Sequence, residues 1–402
     1  MIDNNIFSGL SPESKKIFSL ILHDRALTKG TLSELSDIKL TSLNRMMQPL
    51  EEMELLVKSE TGESTGGRKP VLYDVNPSGY YIVGIDISRT YTQIVLTNLK
   101  MQPIKKYRFD MNRESTPKLV LSIILSWLKD VSCKLKKENG TIIGVGIGTV
   151  GPIDKERGLV LNPENFVAPG WENIPLKSIF EKRLGVPVAV DNGANAAVLA
   201  ETYFGIAKGI KNVIYINCGI GIRMGIITSG LFVRNINDAE DAFAHMVVDV
   251  KGVKCSCGNN GCIESYSSIY SMVERFKKLN SNSDPGTIPN EVSYIEICKA
   301  AESMEPKALD VITHAAEFMG EGLANLIKLL NPGIVILSGP LIRNSQLFYG
   351  ICTDMAIRKS HIQKNGGVIF NRGGQFNEIA IAIGASAMVL EKFLGNDLSN
   401  NF

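Results

Sequence analysis

The chain has 402 residues, of which 44% are hydrophobic and 21% charged, and its formal net charge is +2. This composition is that of an ordinary soluble protein with enough apolar residues for two or three domains. The balanced charge excludes nucleic-acid binding through overall charge, so any such surface must be a local patch. Met1 to Leu10 lacks the basic start and apolar run of a signal peptide, and no apolar run is long enough to span a membrane. We therefore expect a cytoplasmic protein.

The first fifty residues carry the pattern of three short helices. Apolar residues recur at helical spacing over 12–23 and again after Thr41. Thr31, with Glu34 three residues later, matches a capping box, and Thr41 is a second candidate N-cap. Pro49 should kink the third helix or end it at the preceding residue. Three helices joined by short turns predict a helix-turn-helix, and a generic helical bundle is the alternative.

The next stretch, VKSETGESTGGRKPVLYDV, predicts a β-hairpin wing with a Gly/Ser/Thr-rich tip. In a winged helix-turn-helix the second helix of the pair lies in the major groove, where its polar side chains meet base edges and nearby basic residues meet phosphates. The predicted DNA contacts are Lys39, Ser42, Asn44, Arg45, Gln48, Arg68 and Lys69, with Lys58 as a further phosphate contact. Acidic residues slightly outnumber basic ones over 1–76, so this prediction depends on the clustering of the basic residues.

The remaining chain has the pattern of two α/β lobes. Three strand-like runs, YYIVGIDI, YTQIVLTNL and IKKYRFDM, precede a helix over about 117–138 and the buried strand TIIGVGIGTVG. A second strand-turn-strand pair, NVIYINCGIG and RMGIITSG, repeats this arrangement, and the strand in NPGIVILSGPL follows later. Such a repeat indicates duplicated α/β lobes. The predicted domains are a winged helix-turn-helix at 1–76, a first lobe at 77–190 joined by the C-terminal helix 380–397, and a second lobe at 191–379.

The stretch HMVVDVKGVKCSCGNNGCIE predicts a metal site. His245, Cys255, Cys257 and Cys262 supply the four ligands of a closed tetrahedral Zn²⁺ site, with no position left for a catalytic water. We therefore expect one structural Zn²⁺ per chain. A disulfide is the alternative, disfavoured because thiols stay reduced in the cytosol. The other cysteines are predicted to be small buried apolar residues: Cys133, Cys218, Cys298 and Cys352.

These motifs together resemble the ROK family of sugar kinases and repressors. The family has a His followed by CxCGxxGCxE, matched here by His245 and CSCGNNGCIE, and further similarity lies in NPENFVAPGW, DNGANAAVLAE and NPGIVILSG. The resemblance implies an actin/hexokinase-like (ribonuclease H-like) fold over essentially the whole body. The amino-terminal helices and the GGRKP wing resemble those of the family's repressors. That branch implies an operator DNA, a sugar effector and a homodimer or dimer of dimers as partners.

Four departures from the family's kinase pattern bear on activity. The kinase turn Asp-x-Gly-Gly-Thr is replaced by Asp86-Ile87-Ser88-Arg89-Thr90, and Gly-Thr-Gly-x-Gly by Gly219-Ile220-Gly221-Ile222-Arg223. Lost glycines prevent close backbone approach to phosphate. The catalytic Asp of the kinases is Gly193 here, and a sugar-contacting Glu is Ala242. We expect no catalytic residues and no kinase activity.

The resemblance leaves three sugar-binding residues: Asn192, His245 and Glu264. The alternative for Asn192 is a helix N-cap, a role that it could combine with sugar binding, and the alternative for Glu264 is a solvated surface carboxylate.

The leading interpretation is a transcriptional repressor of carbohydrate-utilisation genes, whose inactive kinase-like body senses a small ligand, with xylose, glucose and N-acetylated sugars all open. An ATP-dependent sugar kinase with an appended DNA-binding domain is one alternative. A DNA-binding dimer without an effector is another.

Overall fold

A computed structural model describes residues 6–60, 70–163, 166–233, 241–280, 293–360 and 367–395. The chain divides into two compact units, one comprising Met1–Phe204 with Ile381–Phe402 and the other Gly205–Ala380. Among the described helices, none combines the length and apolarity needed to cross a membrane.

The amino-terminal part of the first unit, residues 6–76, is called the head below. Its elements are α1 Pro12–Asp24, β1 Leu27–Thr28, α2 Lys29–Ser36, α3 Leu40–Glu52, β2 Leu56–Glu60 and β3 Val71–Val75. The three strands form an antiparallel sheet in the order β1-β3-β2. The helices pack through apolar side chains that water does not reach, among them Phe18, Leu32 and Met47. Three helices followed by an antiparallel hairpin are the winged helix-turn-helix predicted from the sequence.

Two capping predictions in the head are wrong, and of the two outcomes predicted at Pro49 the end of the helix is not observed. The side chain that caps α2 belongs to Thr28, whose oxygen accepts from the backbone N–H of Thr31, so the helix begins before the predicted capping box. The N-cap of α3 is Lys39 instead of Thr41, without a side-chain hydrogen bond. Pro49 lies inside α3, which continues to Glu52. Burial of the apolar face of α3 outweighs the backbone hydrogen bond that a proline cannot donate.

The rest of the first unit is built on a five-stranded sheet in the order β11-β7-β4-β5-β6. β4 pairs antiparallel with β5 and parallel with β7, so the sheet is mixed. A separate small antiparallel sheet has the order β10-β9-β8. The elements of this part are β4 Tyr80–Ile87, β5 Tyr91–Asn98, β6 Pro103–Asp110, α4 Pro117–Lys137, β7 Thr141–Thr149, β8 Ile153–Asp154, β9 Leu159–Val160, β10 Ile174–Pro175, α5 Leu176–Leu184, β11 Val188–Asn192 and α6 Gly193–Tyr203.

The second unit repeats the plan with a sheet in the order β14-β13-β12-β15-β16. β12 pairs antiparallel with β13 and parallel with β15. Its elements are β12 Val213–Cys218, β13 Ile222–Thr228, β14 Leu231–Phe232, α7 Glu264–Ser267, α8 Ile269–Asn280, α9 Tyr294–Glu302, α10 Pro306–Leu330, β15 Ile334–Ser338, α11 Pro340–Asn344, α12 Gln346–Ser360 and β16 Ile369–Arg372. The chain then returns to the first unit in α13, Ala380–Leu394. The strand and helix predictions for both lobes are confirmed.

Candidate functional site

The four predicted metal ligands come together in the second unit. One ligand atom from each of His245, Cys255, Cys257 and Cys262 lies within 4.8 Å of all the others. Nδ1 of His245 is 3.5 Å from Sγ of Cys255, and Sγ of Cys257 is 3.6 Å from Sγ of Cys262. All seven cysteines have free thiols in the structure. The donor set is the one that a tetrahedral metal ion takes in proteins, and the cluster could hold such an ion.

The loop that carries the cysteines depends on two glycines with positive φ. Gly258 has a φ of +93° and Gly261 a φ of +74°. A Cβ on Gly261 would lie 1.6 Å from the backbone oxygen of Asp249, so no other residue fits there. Isolated bridges between Val247 and Cys262, and between Lys254 and Asn260, close the loop. The backbone conformation of this loop therefore brings the sulfur atoms of the three cysteines close together.

Asp241 contacts the cluster and was not among the residues predicted from the sequence. Its Oδ2 lies 3.4 Å from Nε2 of His245, while Nδ1 of the same ring faces Cys255. Hydrogen bonding to Asp241 raises the pKa of His245 to about 9. A carboxylate behind a ligating imidazole fixes its tautomer and orientation. The feature of the sequence that could have indicated this contact is the four-residue spacing between Asp241 and His245.

Glu264 closes the turn Gly219–Arg223, which the sequence resemblance matches to a kinase phosphate turn. Its Oε2 accepts hydrogen bonds from the backbone N–H of Ile222 at 2.8 Å and from Nη1 of Arg223 at 3.0 Å. Gly221 makes room for this approach, because a Cβ there would lie 2.8 Å from the same oxygen. The Glu264 side chain is 17% exposed. The alternative of a solvated surface carboxylate is therefore wrong. The negative charge bound by this turn is that of Glu264.

His245 and Glu264 belong to two segments that are joined by backbone hydrogen bonds. The N–H of Glu264 donates to the oxygen of Ala244 at 2.9 Å, and the N–H of Ile263 donates to the oxygen of Met246 at 3.1 Å. The metal-ligand cluster and the carboxylate therefore have a fixed relation to each other.

Asn192 and Gly193 lie where β11 ends and α6 begins. The side-chain oxygen of Asn192 accepts from the N–H of Ala194 at 2.8 Å, so the N-cap alternative is confirmed. A Cβ on Gly193 would lie 3.0 Å from Cδ1 of Ile381, tighter than an ordinary contact. The neighbouring carboxylate, Asp191, is 3% exposed and accepts from Nδ2 of Asn195 at 3.1 Å.

The turn after β4 and the four cysteines outside the cluster can also be placed. The turn after β4 is closed by a hydrogen bond from the N–H of Ser88 to the oxygen of Tyr91 at 2.9 Å. Arg89 in this turn is 8% exposed, so its guanidinium is buried in the protein. Cys218, Cys298 and Cys352 are buried as predicted, whereas Cys133 is exposed on α4 and that prediction is wrong.

The predicted DNA contacts on α3 share one side of that helix. Leu43, Met47 and Leu50 form its buried face. The polar side chains of the other face are exposed or half-buried: Ser42, Asn44, Arg45 and Gln48, with Lys39 exposed at the N-cap. Two of them have partners in the head, since Lys29 donates to Asn44 and Gln48 donates to Glu52 at 2.7 Å. Arg68 and Lys69 lie outside the described residues.

Comparison with solved structures identifies the fold. The crystal structure of a ROK family transcriptional regulator, a homologue of the Escherichia coli Mlc protein, covers 96% of this chain and 96% of its own, with a TM-score of 0.77 at 23% identity. The two chains therefore share a fold in which a winged helix-turn-helix head precedes an actin/hexokinase-type α/β body. A model of the ROK family matches residues 82–392, which is most of the chain. The chain therefore belongs to the ROK family.

Two relatives represent the two branches of that family. The xylose repressor of Bacillus spizizenii strain W23 is 27% identical over 380 residues, which are 94% of this chain and 95% of that protein. The glucokinase of Thermotoga maritima is 29% identical over 275 residues, which are 67% of this chain and 84% of the enzyme. The similarity to the repressor thus extends over nearly the full length, whereas the similarity to the kinase does not.

Proposed function

We propose that this protein is a DNA-binding transcriptional repressor of carbohydrate-utilisation genes whose kinase-like body binds a small sugar and transfers no phosphate. The observation that carries the proposal is the head, in which α3 presents a polar face beside a β-hairpin. Full-length similarity to a xylose repressor makes xylose the first sugar to test.

The head would bind duplex DNA with α3 in the major groove. Asn44, Arg45 and Gln48 offer the donors and acceptors that read base edges, and Ser42 and Lys39 lie at the helix start, where backbone phosphates approach. Arg68 and Lys69 stay in the proposal as phosphate contacts of the wing. We further propose that residues 1–76 are the DNA-binding domain, followed by a first lobe of 77–190 with 380–397 and a second lobe of 191–379.

The proposed loss of kinase activity has two reasons, one at the position of the general base and one at the turn that would hold the phosphate. No side chain at Gly193 can act as the general base that deprotonates a sugar hydroxyl, and Ile381 packs where that side chain would begin. At the other end the turn Gly219–Arg223 already binds a carboxylate oxygen of Glu264. A γ-phosphate would have to displace a charge-assisted hydrogen bond before it could enter.

The metal would be a structural Zn²⁺ held by His245, Cys255, Cys257 and Cys262. Its chemistry is to cross-link the loop, because four protein ligands leave no coordination position for a substrate. The support for zinc is the donor set itself, three thiolates and an imidazole, together with the carboxylate of Asp241 behind the ring.

We propose Asn192, His245 and Glu264 as the sugar-binding residues, with His245 also fixing the segment that carries Glu264. Glu264 is already held by Arg223 and the N–H of Ile222 through its Oε2. Its second oxygen, Oε1, is the acceptor that we assign to a sugar hydroxyl. This arrangement favours a neutral sugar over an anionic one, because the Arg223 charge is compensated within the protein.

The experiment that tests this function starts from DNA binding. DNA fragments are selected from a random-sequence pool with the purified full-length protein, and binding is then titrated with and without D-xylose, D-glucose or N-acetylglucosamine. We expect nanomolar binding of the selected fragment and a change in affinity with one sugar. Failure to enrich any sequence would contradict the proposal, and an unchanged affinity with every sugar would favour the effector-free alternative.

A further inference from the structure

We propose that the contact between His23 and Glu391 is the point at which the body positions the DNA-binding head, and that helix α6 transmits the state of its Asn192 end to that contact. This inference rests on the proposed function, since it names how ligand and DNA binding are linked. It makes His23 and Glu391 positioning residues.

The contact joins the last turn of α1 to the last turn of α13. Nε2 of His23 lies 3.1 Å from Oε1 of Glu391, a close approach of the two groups and not an aligned hydrogen bond. Glu391 is fully buried. The His23 ring also packs on the end of α6, with ring centroids 4.9 Å from Tyr203 and 5.6 Å from Phe204. A buried carboxylate strongly favours the arrangement that keeps its cationic or polar partners in place.

A second aromatic contact and the local electrostatics point to the same junction. Phe7 at the start of the head stacks on Phe393 of α13 at 5.7 Å. Burial and the charge of Glu391 raise the pKa of Tyr203 to about 12, so its hydroxyl stays protonated next to that carboxylate. The head thus meets the body on two helices, α6 and α13, within one unit of the structure.

On the head side, α1 is tightly connected to the proposed recognition helix. The hydroxyl of Ser14 donates to the backbone oxygen of Met46 in α3 at 2.9 Å. Ile17, Phe18 and Ile21 on α1 are fully buried. Close-packed interiors transmit displacements instead of absorbing them, so a shift of His23 moves α3 as well.

On the body side, α6 is packed backbone to backbone against α13. A Cβ on Gly384 of α13 would lie 1.7 Å from the backbone oxygen of Ala196 in α6. All residues of α6 from Gly193 to Thr202 are buried. The helix has 11 residues, so at 1.5 Å per residue it spans about 16 Å. It is therefore a rigid connection from Asn192 at its N-cap to Tyr203 at its last residue.

A ligand that binds Asn192 acts on the cap of this helix. The amide oxygen that holds the first turn of α6 belongs to the side chain that would contact the sugar. A ligand can shift the head only if it binds one arrangement of α6 better than another, and the DNA must then affect the ligand by the same factor. His23 and Glu391 are where this linkage crosses from body to head.

The first measurement needs no ligand. Hydrogen exchange of the full-length protein is followed in peptides from α1 and α3 for wild type, His23→Ala and Glu391→Gln. Glu13→Gln, an exposed change on the same helix, is the control. We expect exchange of α1 to accelerate by about tenfold in both junction variants, because removal of a buried partner lowers the free energy of local opening. Exchange within about twofold of wild type in both variants would overturn the proposal.

The second measurement separates positioning from simple stability. Affinity for a selected DNA fragment is measured with and without D-xylose, and xylose binding is measured alone by calorimetry. Glu391→Gln should reduce the effect of xylose on DNA affinity to about a third or less of the wild-type factor while xylose affinity stays within about twofold. An unchanged effect of xylose on DNA affinity would contradict the inference.

If the wild-type protein binds DNA and xylose does not change its DNA affinity, the result would instead contradict the proposed sugar. The inference is then decided by Asn192→Ala, which removes the cap of α6. Hydrogen exchange of α1 should differ between Asn192→Ala and the wild type. It should not differ between the double variant Asn192→Ala/Glu391→Gln and the single variant Glu391→Gln. No change of α1 exchange in the single variant would overturn the inference.

Discussion

At the residue scale, the protein's own carboxylate binds to the turn Gly219–Arg223, which the sequence resemblance matches to a kinase phosphate turn. Glu264 accepts from the N–H of Ile222 and from Arg223, as a phosphate oxygen would accept from a glycine-rich turn. Sequence comparison identifies the lost glycine at Arg223 but not this pair, because the two side chains are 41 positions apart. Only the fold brings them together. The metal-ligand cluster was predictable because its cysteines lie within one short loop whose glycines dictate the turns.

The first prediction is that phosphate transfer is absent and is not restored by one residue. Purified protein with ATP, Mg²⁺ and a panel of hexoses and pentoses should release no sugar-dependent ADP. Gly193→Asp restores a base worth about 10²–10⁴ in rate in working enzymes, but the phosphate turn stays occupied, so we expect no turnover in this variant either. Sugar-dependent turnover near about one per second would refute the assignment of a non-enzymatic body.

The second prediction concerns the metal. Protein purified without added zinc should contain one Zn²⁺ per chain, and Cys255→Ser should lose it, since each thiolate is needed to complete the tetrahedron. Because metal binding contributes directly to the folding of such loops, the melting temperature should fall by several degrees. Cys133→Ser is the matched control, an exposed thiol outside the cluster. Metal-free wild-type protein with the same melting temperature as Cys255→Ser would exclude a structural metal.

The third prediction tests the contact behind the imidazole. Asp241→Asn keeps the shape of the side chain but removes the charge that lies 3.4 Å from Nε2 of His245. Loss of such a carboxylate costs about 10–100-fold in metal affinity, so competition with a chelator should show that reduction while the stoichiometry stays at one. An unchanged affinity would mean that Asp241 does not orient the ligand.

At the element scale, packing decides where helices begin and end. Thr28 and Thr31 are both plausible caps by residue type, and the cap lies at Thr28 because α2 starts directly from the short strand β1. Pro49 remains inside α3 because Leu43, Met47 and Leu50 bury one continuous face. These tertiary effects cannot be derived from local propensities, whereas the existence and type of each helix followed from periodicity.

The fourth prediction belongs to α3. Arg45 is exposed on the polar face of this helix, so Arg45→Ala should cost about 1–3 kcal/mol of binding to the selected DNA and relax its sequence preference. Lys39→Ala should instead weaken binding to all sequences and reduce the slope of affinity against salt by about one. Lys15→Ala on α1, outside the predicted interface, is the control. Equal effects of Arg45→Ala on specific and random DNA would argue against a base contact.

At the scale of the whole molecule, the order of the elements was predictable but their association was not. The glycines inside the strands β4 and β7 have a packing role. A Cβ on Gly84 would lie 1.7 Å from the oxygen of Ala382, and one on Gly146 1.8 Å from that of Ala385. They let α13, from the far end of the sequence, pack directly on the sheet. A glycine in a strand indicates a close backbone neighbour but does not identify it.

The last prediction concerns assembly, which follows from the proposed function. A repressor that binds DNA as a homodimer, or as a dimer of dimers, holds two heads at a fixed separation, so its operator should contain two related half-sites in phase with the DNA helix. Insertion of about 5 base pairs between the half-sites places them on opposite faces of the duplex and should abolish tight binding, whereas about 10 base pairs restores the phase. The measurement is a binding titration on the three DNA fragments, with a single half-site as the control. Insertion tolerated at every length, or full affinity for the single half-site, would show that each head binds alone.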